Sequence, residues 1–246
     1  MIEIKNVTKY FDDVVAVDHV SVAIKEKNVF GLIGTNGAGK STVLRLITGI
    51  YRPDEGEIYI DSLPVYDNRA AKKKFFFIPD EPYFFNNATA AEMERYYARV
   101  YGNFDSGKFY GALEKFGLDG KRKIHTFSKG MKKQLALLLG IYAGTEYLFC
   151  DETFDGLDPV MRQGIKGLLA KTMEERNFTP VIASHNLREL EDICDHVGLL
   201  HKGGVLLSRE LEEMKCNIQK VQCVLKNPQE WQMALQDVEI LQEEAR

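Results

Sequence analysis

Cysteine is scarce in this chain of 246 residues, and Cys150, Cys194, Cys216 and Cys223 show no C-x-x-C spacing. We therefore expect neither a zinc site nor a disulfide framework, and the pattern favours a protein of the reducing cytosol. Basic residues are not in excess either, because 32 lysines and arginines stand against 36 acidic residues and leave a net charge of −4. The composition thus gives no reason to expect nucleic acid as a partner.

Long hydrophobic segments are also missing. The longest strongly apolar stretch, residues 135–143, falls well short of the roughly 20 residues that cross a bilayer. The first residues lack the basic-then-apolar order of a signal peptide. What remains, 45% hydrophobic and 28% charged residues, is typical of a folded globular chain. We expect a protein that is neither secreted nor membrane-spanning.

Short apolar runs alternate with helical segments, which predicts a mostly parallel sheet with flanking helices. Residues 2–4 and 20–24 instead alternate apolar and polar side chains and predict an antiparallel β subdomain at the amino-terminal end. A turn at 54–56 is expected before a strand at 57–60. Strand formers thin out between about 87 and 145, where the capping box Thr89-x-x-Glu92 opens a block of helices. The expected fold is α/β with an inserted α-helical subdomain.

The phosphate-loop pattern G-x-x-x-x-G-K-[ST] is matched at every fixed position by Gly34-Thr35-Asn36-Gly37-Ala38-Gly39-Lys40-Ser41. It follows a predicted strand and precedes a predicted helix, so its backbone N–H groups can surround an anion at a helix amino terminus. Lys40 is expected to reach the β- and γ-phosphates and Ser41 to ligate Mg²⁺. The competing interpretation is a glycine-rich turn with an unrelated lysine. We predict a P-loop NTPase core in which this loop and Thr42 contact ATP.

Two adjacent carboxylates, Asp151 and Glu152, end a second apolar run at 147–150. Because side chains alternate along a strand, the two are expected to point in different directions. Asp151 is placed to hold Mg²⁺, and Glu152 is left free to orient and deprotonate an attacking water. Alone, the pair is more typical of an ordinary strand-end turn. Together with the phosphate loop, it predicts hydrolysis of the bound nucleotide.

Three weaker segments follow the order found in one family. Phe127-Ser128-Lys129-Gly130-Met131 is similar to the signature LSGGQ, Gly156-Leu157-Asp158-Pro159 resembles a D-loop, and Ser184-His185-Asn186 resembles a segment with a switch histidine. Each alone is compatible with a helix cap or a loop. With the two motifs above, they make residues 1–208 resemble the nucleotide-binding subunit of an ATP-binding cassette (ABC) transporter.

The resemblance implies a Mg²⁺-dependent ATPase that forms a head-to-tail dimer around two ATP molecules. Glu152, His185 and Lys40 are then the expected catalytic residues, with His185 touching the γ-phosphate. Phe11 falls where the family has an aromatic residue that stacks on adenine. The ATP contacts that the resemblance implies outside the phosphate loop are Phe11, Ala16, Ser128, Gly130 and Asp158.

The sequence departs from the family pattern at the Q-loop, where Asp80 replaces a glutamine that ligates Mg²⁺. Aspartate is shorter and charged, so our hypothesis is that Asp80 holds Mg²⁺ through a water and keeps the coupling role. Ser41, Asp80 and Asp151 are thus the predicted Mg²⁺ residues.

The signature and the missing membrane span resemble the ABC-2 exporter branch, whose transmembrane permease subunits are separate chains. This implies a cytoplasmic subunit, peripheral on the cytoplasmic face of the cell membrane. Residues 209–246 would be a short carboxyl-terminal appendage, with a strand at 221–225 and a helix at 230–235. A soluble ABC-type ATPase with a role such as cluster assembly, or an ATP-gated sensor, stays open as an alternative.

Basic residues cluster at 72–74, 121–123 and 132–133. Solvated surface is the expected explanation for these clusters, and proximity to lipid headgroups is the functional alternative.

Overall fold

The computed structural model describes residues 1–191 and 193–210. The strands in this part of the chain are β1 Ile2–Phe11, β2 Val14–Ile24, β3 Phe30–Ile33, β4 Glu55–Ile60, β5 Leu63–Pro64, β6 Phe75–Ile78, β7 Tyr147–Asp151, β8 Thr179–Ser184, β9 His196–His201 and β10 Gly204–Glu210. The helices are α1 Lys40–Ile47, α2 Arg69–Lys72, α3 Ala90–Tyr101, α4 Ser106–Lys115, α5 Lys129–Tyr142, α6 Pro159–Glu175 and α7 Leu187–Leu190. The segments predicted at 221–225 and 230–235 lie outside the described residues.

The larger sheet has six strands in the order β10-β9-β3-β8-β7-β6. All neighbours from β9 to β6 are parallel, and β10 alone pairs antiparallel, with β9. The predicted mostly parallel sheet is therefore confirmed. Because parallel strands end at the same edge, the segments after β3, β6, β7 and β8 meet there, which is where open α/β sheets bind ligands.

The smaller sheet is the predicted antiparallel one, with strand order β2-β1-β4-β5. The turn predicted at 54–56 is wrong for two of its three residues, because β4 already begins at Glu55, which pairs with Thr8 of β1. The register shifts at this point, and a Cβ at Gly56 would lie 2.2 Å from the carbonyl oxygen of Asn6. Glycine thus lets β4 follow an irregular part of β1 instead of turning away from it.

The six-stranded sheet is covered on both faces. Phe149 of β7 belongs to the same buried cluster as Leu44 of α1 and Ile4 of the smaller sheet, whereas its neighbours Leu148 and Cys150 belong to a second cluster that includes side chains of α3, α4 and α5. This alternation is the pleat of a strand that is buried on both faces. Each large apolar side chain that is fully buried in these two cores stabilises the fold by about 1.5–3 kcal/mol.

The helical block on the second face begins where the sequence predicts. The N–H of Thr89 donates to the Glu92 carboxylate over 2.7 Å, and the N–H of Glu92 donates to the Thr89 hydroxyl over 3.2 Å. The capping box is therefore confirmed, and α3 follows it. Among the described helices, none combines the length and the apolar character that crossing a membrane requires.

Candidate active site

The phosphate loop lies between β3 and α1, as predicted. Gly37 and Gly39 both have positive φ, +81° and +102°. A Cβ at Gly39 would stand 2.6 Å from the carbonyl oxygen of Ala16, so only glycine fits against this segment of β2. Because α1 begins directly after Gly39, its free N–H groups and its positive dipole end face the loop.

Lys40 is a buried cation whose side chain is only 4% exposed. Its ammonium donates to the carbonyl oxygens of Gly34, over 2.8 Å, and Thr35, over 3.2 Å. It also lies 3.0 Å from one carboxylate oxygen of Glu152. The phosphate-loop lysine is thus held over its own loop and joined directly to the acidic end of β7.

Asp151 lies beneath this loop and is joined to it through Ser41, whose hydroxyl donates to the carboxylate over 2.9 Å. Burial raises the pKa of Asp151, and the hydrogen bond from Ser41 opposes that rise only in part. A buried carboxylate beside a hydroxyl, with its negative charge incompletely compensated, is a donor set that suits a hard cation such as Mg²⁺. The two residues therefore fit the metal that the sequence predicts.

The Asp151 carboxylate contacts Ser41, whereas the Glu152 carboxylate contacts Lys40 and His185 and is not free. Glu152 follows the last residue of β7, so the pleat of the strand does not set the direction of its side chain. One oxygen lies 3.0 Å from the Lys40 ammonium, and the other lies 2.7 Å from Nδ1 of His185. The backbone of Glu152 is in the left-handed region, with φ +49°. This conformation is uncommon for a residue other than glycine and is typical of functional sites.

His185 contacts two carboxylates. Its Nδ1 lies 2.7 Å from Glu152 and 3.1 Å from Asp155. The hydrogen bond to Glu152 and the negative charges of Asp155 and Glu152 raise the pKa of His185. These carboxylates therefore favour the imidazolium form, which donates from both ring nitrogens.

Asp80 follows β6, at the same sheet edge. Its carboxylate accepts a hydrogen bond from the Lys133 ammonium over 3.0 Å, and its side chain is 53% exposed. The expectation of solvated surface for the basic cluster at 132–133 is wrong for Lys133, which is buried. The physical reason is that α5 is buried continuously from Lys133 to Tyr142, so the lysine enters the interior and is paired there. Lys74, in the cluster at 72–74, is likewise paired, with Asp61 over 2.8 Å and with Glu146 over 2.9 Å.

Most of the predicted residues line one cleft of about 840 Å³. The predicted site residues that line it are Ala16, Asn36, Gly37, Gly39, Lys40, Ser41, Thr42, Asp80, Gly130, Glu152 and His185. Others lie beside or beneath it: Asp151 is reached through Ser41, and the carbonyl oxygen of Ala38 accepts a hydrogen bond from the N–H of Gly203 over 3.1 Å.

Three predicted ATP contacts have other surroundings in the described part of the chain. The Phe11 ring is 39% exposed and packs edge-on against Tyr51, while Val14 and Val15 line the cleft beside it. The Ser128 hydroxyl caps α5 by accepting from the N–H of Met131. Asp158 caps α6 in the same way, accepting from the N–H of Met161 over 2.9 Å.

Besides Val14 and Val15, sequence reasoning missed Lys133, Asp155, Lys202 and Gly203, which also line the cleft. For Lys133 a signal exists, because it opens the apolar run of α5 and a lysine in such a position is buried only when it is paired. The other three have no local signal, since the chain returns them to the cleft through loops.

A phosphate loop between a buried strand and a helix, next to a strand end with two carboxylates, defines a P-loop nucleotide hydrolase. The family profile described as "ABC transporter" matches residues 17–155, more than half of the chain. This chain therefore belongs to the ABC transporter family. Within that family it is the ATP-binding cassette, which is an ATPase. The predicted family, fold class and enzyme class are thereby confirmed.

Known proteins resemble the chain over most of its length. It is 30% identical over 222 residues to the ABC transporter ATP-binding protein YtrB of Bacillus subtilis (strain 168), covering 90% of this chain and 76% of that protein. It is 32% identical over 218 residues to the bacitracin transport ATP-binding protein BcrA of Bacillus licheniformis, covering 87% and 71%. The dimeric structure of the ATP-binding cassette MJ0796 in a post-hydrolysis state, bound to ADP and Pi, is similar with a TM-score of 0.75 and 25% identity, over 86% of this chain and 99% of that one.

Proposed function

We propose that this chain is the ATP-hydrolysing subunit of an ABC-2-like exporter. In this proposal, Mg-ATP binding and hydrolysis in a head-to-tail dimer drive transport by separate transmembrane permease subunits. The chain would work at the cytoplasmic face of the cell membrane as a peripheral subunit, with residues 1–208 as the ATPase domain, 87–145 as its helical subdomain and 209–246 as an appendage. The proposal is supported by a relative named for bacitracin transport and by a similar cassette described as dimeric.

The phosphate loop would bind the triphosphate through its backbone N–H groups and through Lys40. Binding requires the Lys40 ammonium to exchange its contacts with loop carbonyl oxygens and Glu152 for contacts with phosphate oxygens. Ser41 and Asp151 are the residues that would hold Mg²⁺, with Asp80 at the same sheet edge. When bound, Mg²⁺ would withdraw negative charge from the phosphate groups.

Glu152 would act as the general base. Once Lys40 turns to phosphate, the carboxylate oxygen that faced it can accept a hydrogen bond from a water and then its proton. His185 keeps the other oxygen fixed through Nδ1, so the carboxylate is oriented, and its second ring nitrogen can donate to the terminal phosphate. Chemistry of this kind depends on positioning and charge stabilisation.

A second copy of the chain would complete the site. Gly130 lies at the rim of the cleft, and Ser128 and Lys129 begin α5, so the amino-terminal end of this helix offers N–H donors and a positive charge to an anion. In the head-to-tail arrangement these groups, with Asp158, would face the nucleotide of the partner. Phe11 would reach adenine from the same side of the cleft as Val14 and Val15.

The observation that carries the enzymatic part is the Glu152 carboxylate, held between Lys40 at the phosphate loop and His185. Glu152→Gln keeps the shape of the side chain and removes its basicity, so we expect phosphate release to fall by about 10²–10⁴-fold. Calorimetry should show that ATP still binds, and size-exclusion chromatography with ATP should show a dimer. Glu57→Gln, exposed on β4, is the control. Equal turnover in Glu152→Gln and the unmodified chain would refute the role of Glu152.

The transport part needs a separate experiment. Membranes are prepared from cells that make the tagged chain and are dissolved in mild detergent. The tagged chain should then copurify with a protein that has several membrane spans. Recovery of the active ATPase only from the soluble fraction would instead support the soluble alternative.

A further inference from the structure

We infer that Lys133 is a positioning residue that fixes the peptide group of Glu152 and links it to the Asp80 loop. This inference rests on the proposed role of Glu152 as the general base. The Lys133 side chain is only 4% exposed. Lysine is rarely buried this far unless its charge is paired, because removing an ammonium group from water is costly.

The ammonium of Lys133 makes two contacts with described residues. It donates to the carbonyl oxygen of Glu152 over 2.6 Å and to the Asp80 carboxylate over 3.0 Å. A lysine ammonium has three N–H donors, so these contacts use two of them. All three residues line the same cleft as the phosphate loop.

The contact with Glu152 falls where the backbone is strained. With φ +49°, this residue adopts a left-handed conformation that the surrounding structure has to maintain. Its N–H donates to the carbonyl oxygen of Ala183 over 3.0 Å, and its own carbonyl oxygen accepts from Lys133. Both peptide groups of Glu152 are thus held, and this directs the carboxylate toward Lys40 and His185.

A purely stabilising ion pair does not account for this arrangement. The Asp80 side chain is 53% exposed, whereas that of Lys133 is 4% exposed. A pair with one solvated partner gains little Coulomb energy, while the lysine loses its hydration in full. The contact that compensates for the lost hydration of the ammonium is the hydrogen bond to the Glu152 carbonyl oxygen. Lys133 therefore acts chiefly on the peptide group of Glu152.

The position of Lys133 also links three segments. It lies one turn after Lys129, the first residue of α5, so it is on the same helix face as this residue of the signature segment. Its ammonium contacts Glu152, directly after β7, and Asp80, in the loop after β6. A shift of α5 against the sheet must therefore either move the Glu152 peptide or break a hydrogen bond of 2.6 Å.

Lys133→Met tests the role, because it keeps most of the length of the side chain and removes the donor. We expect kcat for ATP hydrolysis to fall by about 10²-fold, while the affinity for a non-hydrolysable ATP analogue changes by less than about threefold. Lys133→Gln should recover most of kcat, because its amide can donate to the Glu152 carbonyl oxygen. Lys132→Met, a half-buried neighbour on α5, is the matched control and should leave kcat unchanged.

An unchanged kcat in Lys133→Met would overturn the inference. So would equal losses in Lys133→Met and Lys133→Gln together with lower melting temperatures, because that pattern indicates a structural role only. If Lys133→Met does not fold, Lys133→Leu, which also lacks a donor, replaces it in the same comparison with Lys133→Gln. Turnover that survives Glu152→Gln would refute the base itself, so failure of that role is distinguishable from failure of this one.

Discussion

The two ends of β7 carry two charged clusters, about one strand length apart, and they differ in character. At the amino end, the Tyr147 hydroxyl donates to Asp61 over 2.6 Å. At the carboxyl end, Asp151 accepts from Ser41, and Glu152 follows. The strand between them is fully buried, so the same core supports both clusters.

The cluster at the amino end favours charge. Burial alone would raise the pKa of Asp61, but hydrogen bonds from Lys74, the amino group of Met1 and Tyr147 outweigh it, and the pKa is lowered. The pKa of Lys74 is raised, chiefly by its hydrogen bond to Asp61. Both groups are more easily ionised here than in water, which indicates that this cluster stabilises the fold.

The cluster at the carboxyl end opposes charge at its centre. Burial raises the pKa of Asp151, because the hydrogen bond from Ser41 does not fully compensate for lost hydration. The hydrogen bond from Ser41 and the positive charge of Arg45 offset the cost of burying this carboxylate only in part, and a bound cation would offset more of it. The direction of the pKa shift therefore separates a structural ion cluster from one that is prepared for a ligand.

The largest expected difference comes from Asp151→Asn. The change keeps an acceptor for Ser41 and removes the charge, so we expect Mg²⁺-dependent phosphate release to fall by at least about 10²-fold. The melting temperature should equal or exceed that of the unmodified chain, because the variant no longer buries a charged carboxylate at this position. Since the folded pKa of Asp151 is raised, the unmodified chain should lose stability relative to this variant as the pH rises above about 3.9. A lower melting temperature of Asp151→Asn at neutral pH would contradict the view that the carboxylate at this end of β7 costs stability whereas Asp61 at the other end adds to it.

Asp61→Asn tests the other end, where the expected effect is on stability. The change weakens charge-assisted hydrogen bonds from Lys74 and the amino group of Met1, so the free energy of unfolding should fall by about 1–3 kcal/mol. Because the folded pKa of Asp61 is lowered, its contribution is fully present above about pH 4 and is lost as the pH falls through the folded pKa. Urea denaturation at several pH values measures this, and kcat should be unchanged. A loss of kcat without a loss of stability would contradict the assignment.

The smallest effect concerns His185. Its pKa should lie above the usual value of about 6.5 and should fall toward that value in Glu152→Gln, because the hydrogen bond to Glu152 is the main cause of the shift. Imidazole nitrogen NMR over a pH series measures both values, with His185→Gln identifying the signal. Glu57→Gln should leave the titration unchanged. An unaltered pKa in Glu152→Gln would show that Asp155 alone sets it.

Local patterns predicted the elements that depend on neighbouring residues. The phosphate loop, the capping box at Thr89 and the buried strand before Asp151 could be predicted because their spacing reflects hydrogen bonds and side-chain alternation within a few residues. The exact start of β4 could not, because Gly56 serves there as the point of close approach to Asn6 of another strand.

The pairing of Lys133 with Asp80 was beyond local patterns for the same reason. The two residues are 53 positions apart, so the apolar run that marks Lys133 as buried and paired does not identify Asp80 as its partner. Only the packing of α5 onto the sheet buries one of them and brings it to the other.

The sequence by itself determined that this protein binds and hydrolyses a nucleotide, because a phosphate loop needs particular residues at fixed spacing within eight consecutive positions, 34–41. It also placed Asp151 and Glu152 side by side at a strand end, but the pleat does not set the direction of Glu152, which follows β7 with φ +49°. Only the tertiary structure decided which partners those side chains have. The ends of β3, β6, β7 and β8 meet at one edge of a parallel sheet. Burial at this edge raises the pKa of Asp151. The same packing brings Glu152 to Lys40 and His185, and it buries Lys133 beside the Glu152 carbonyl oxygen.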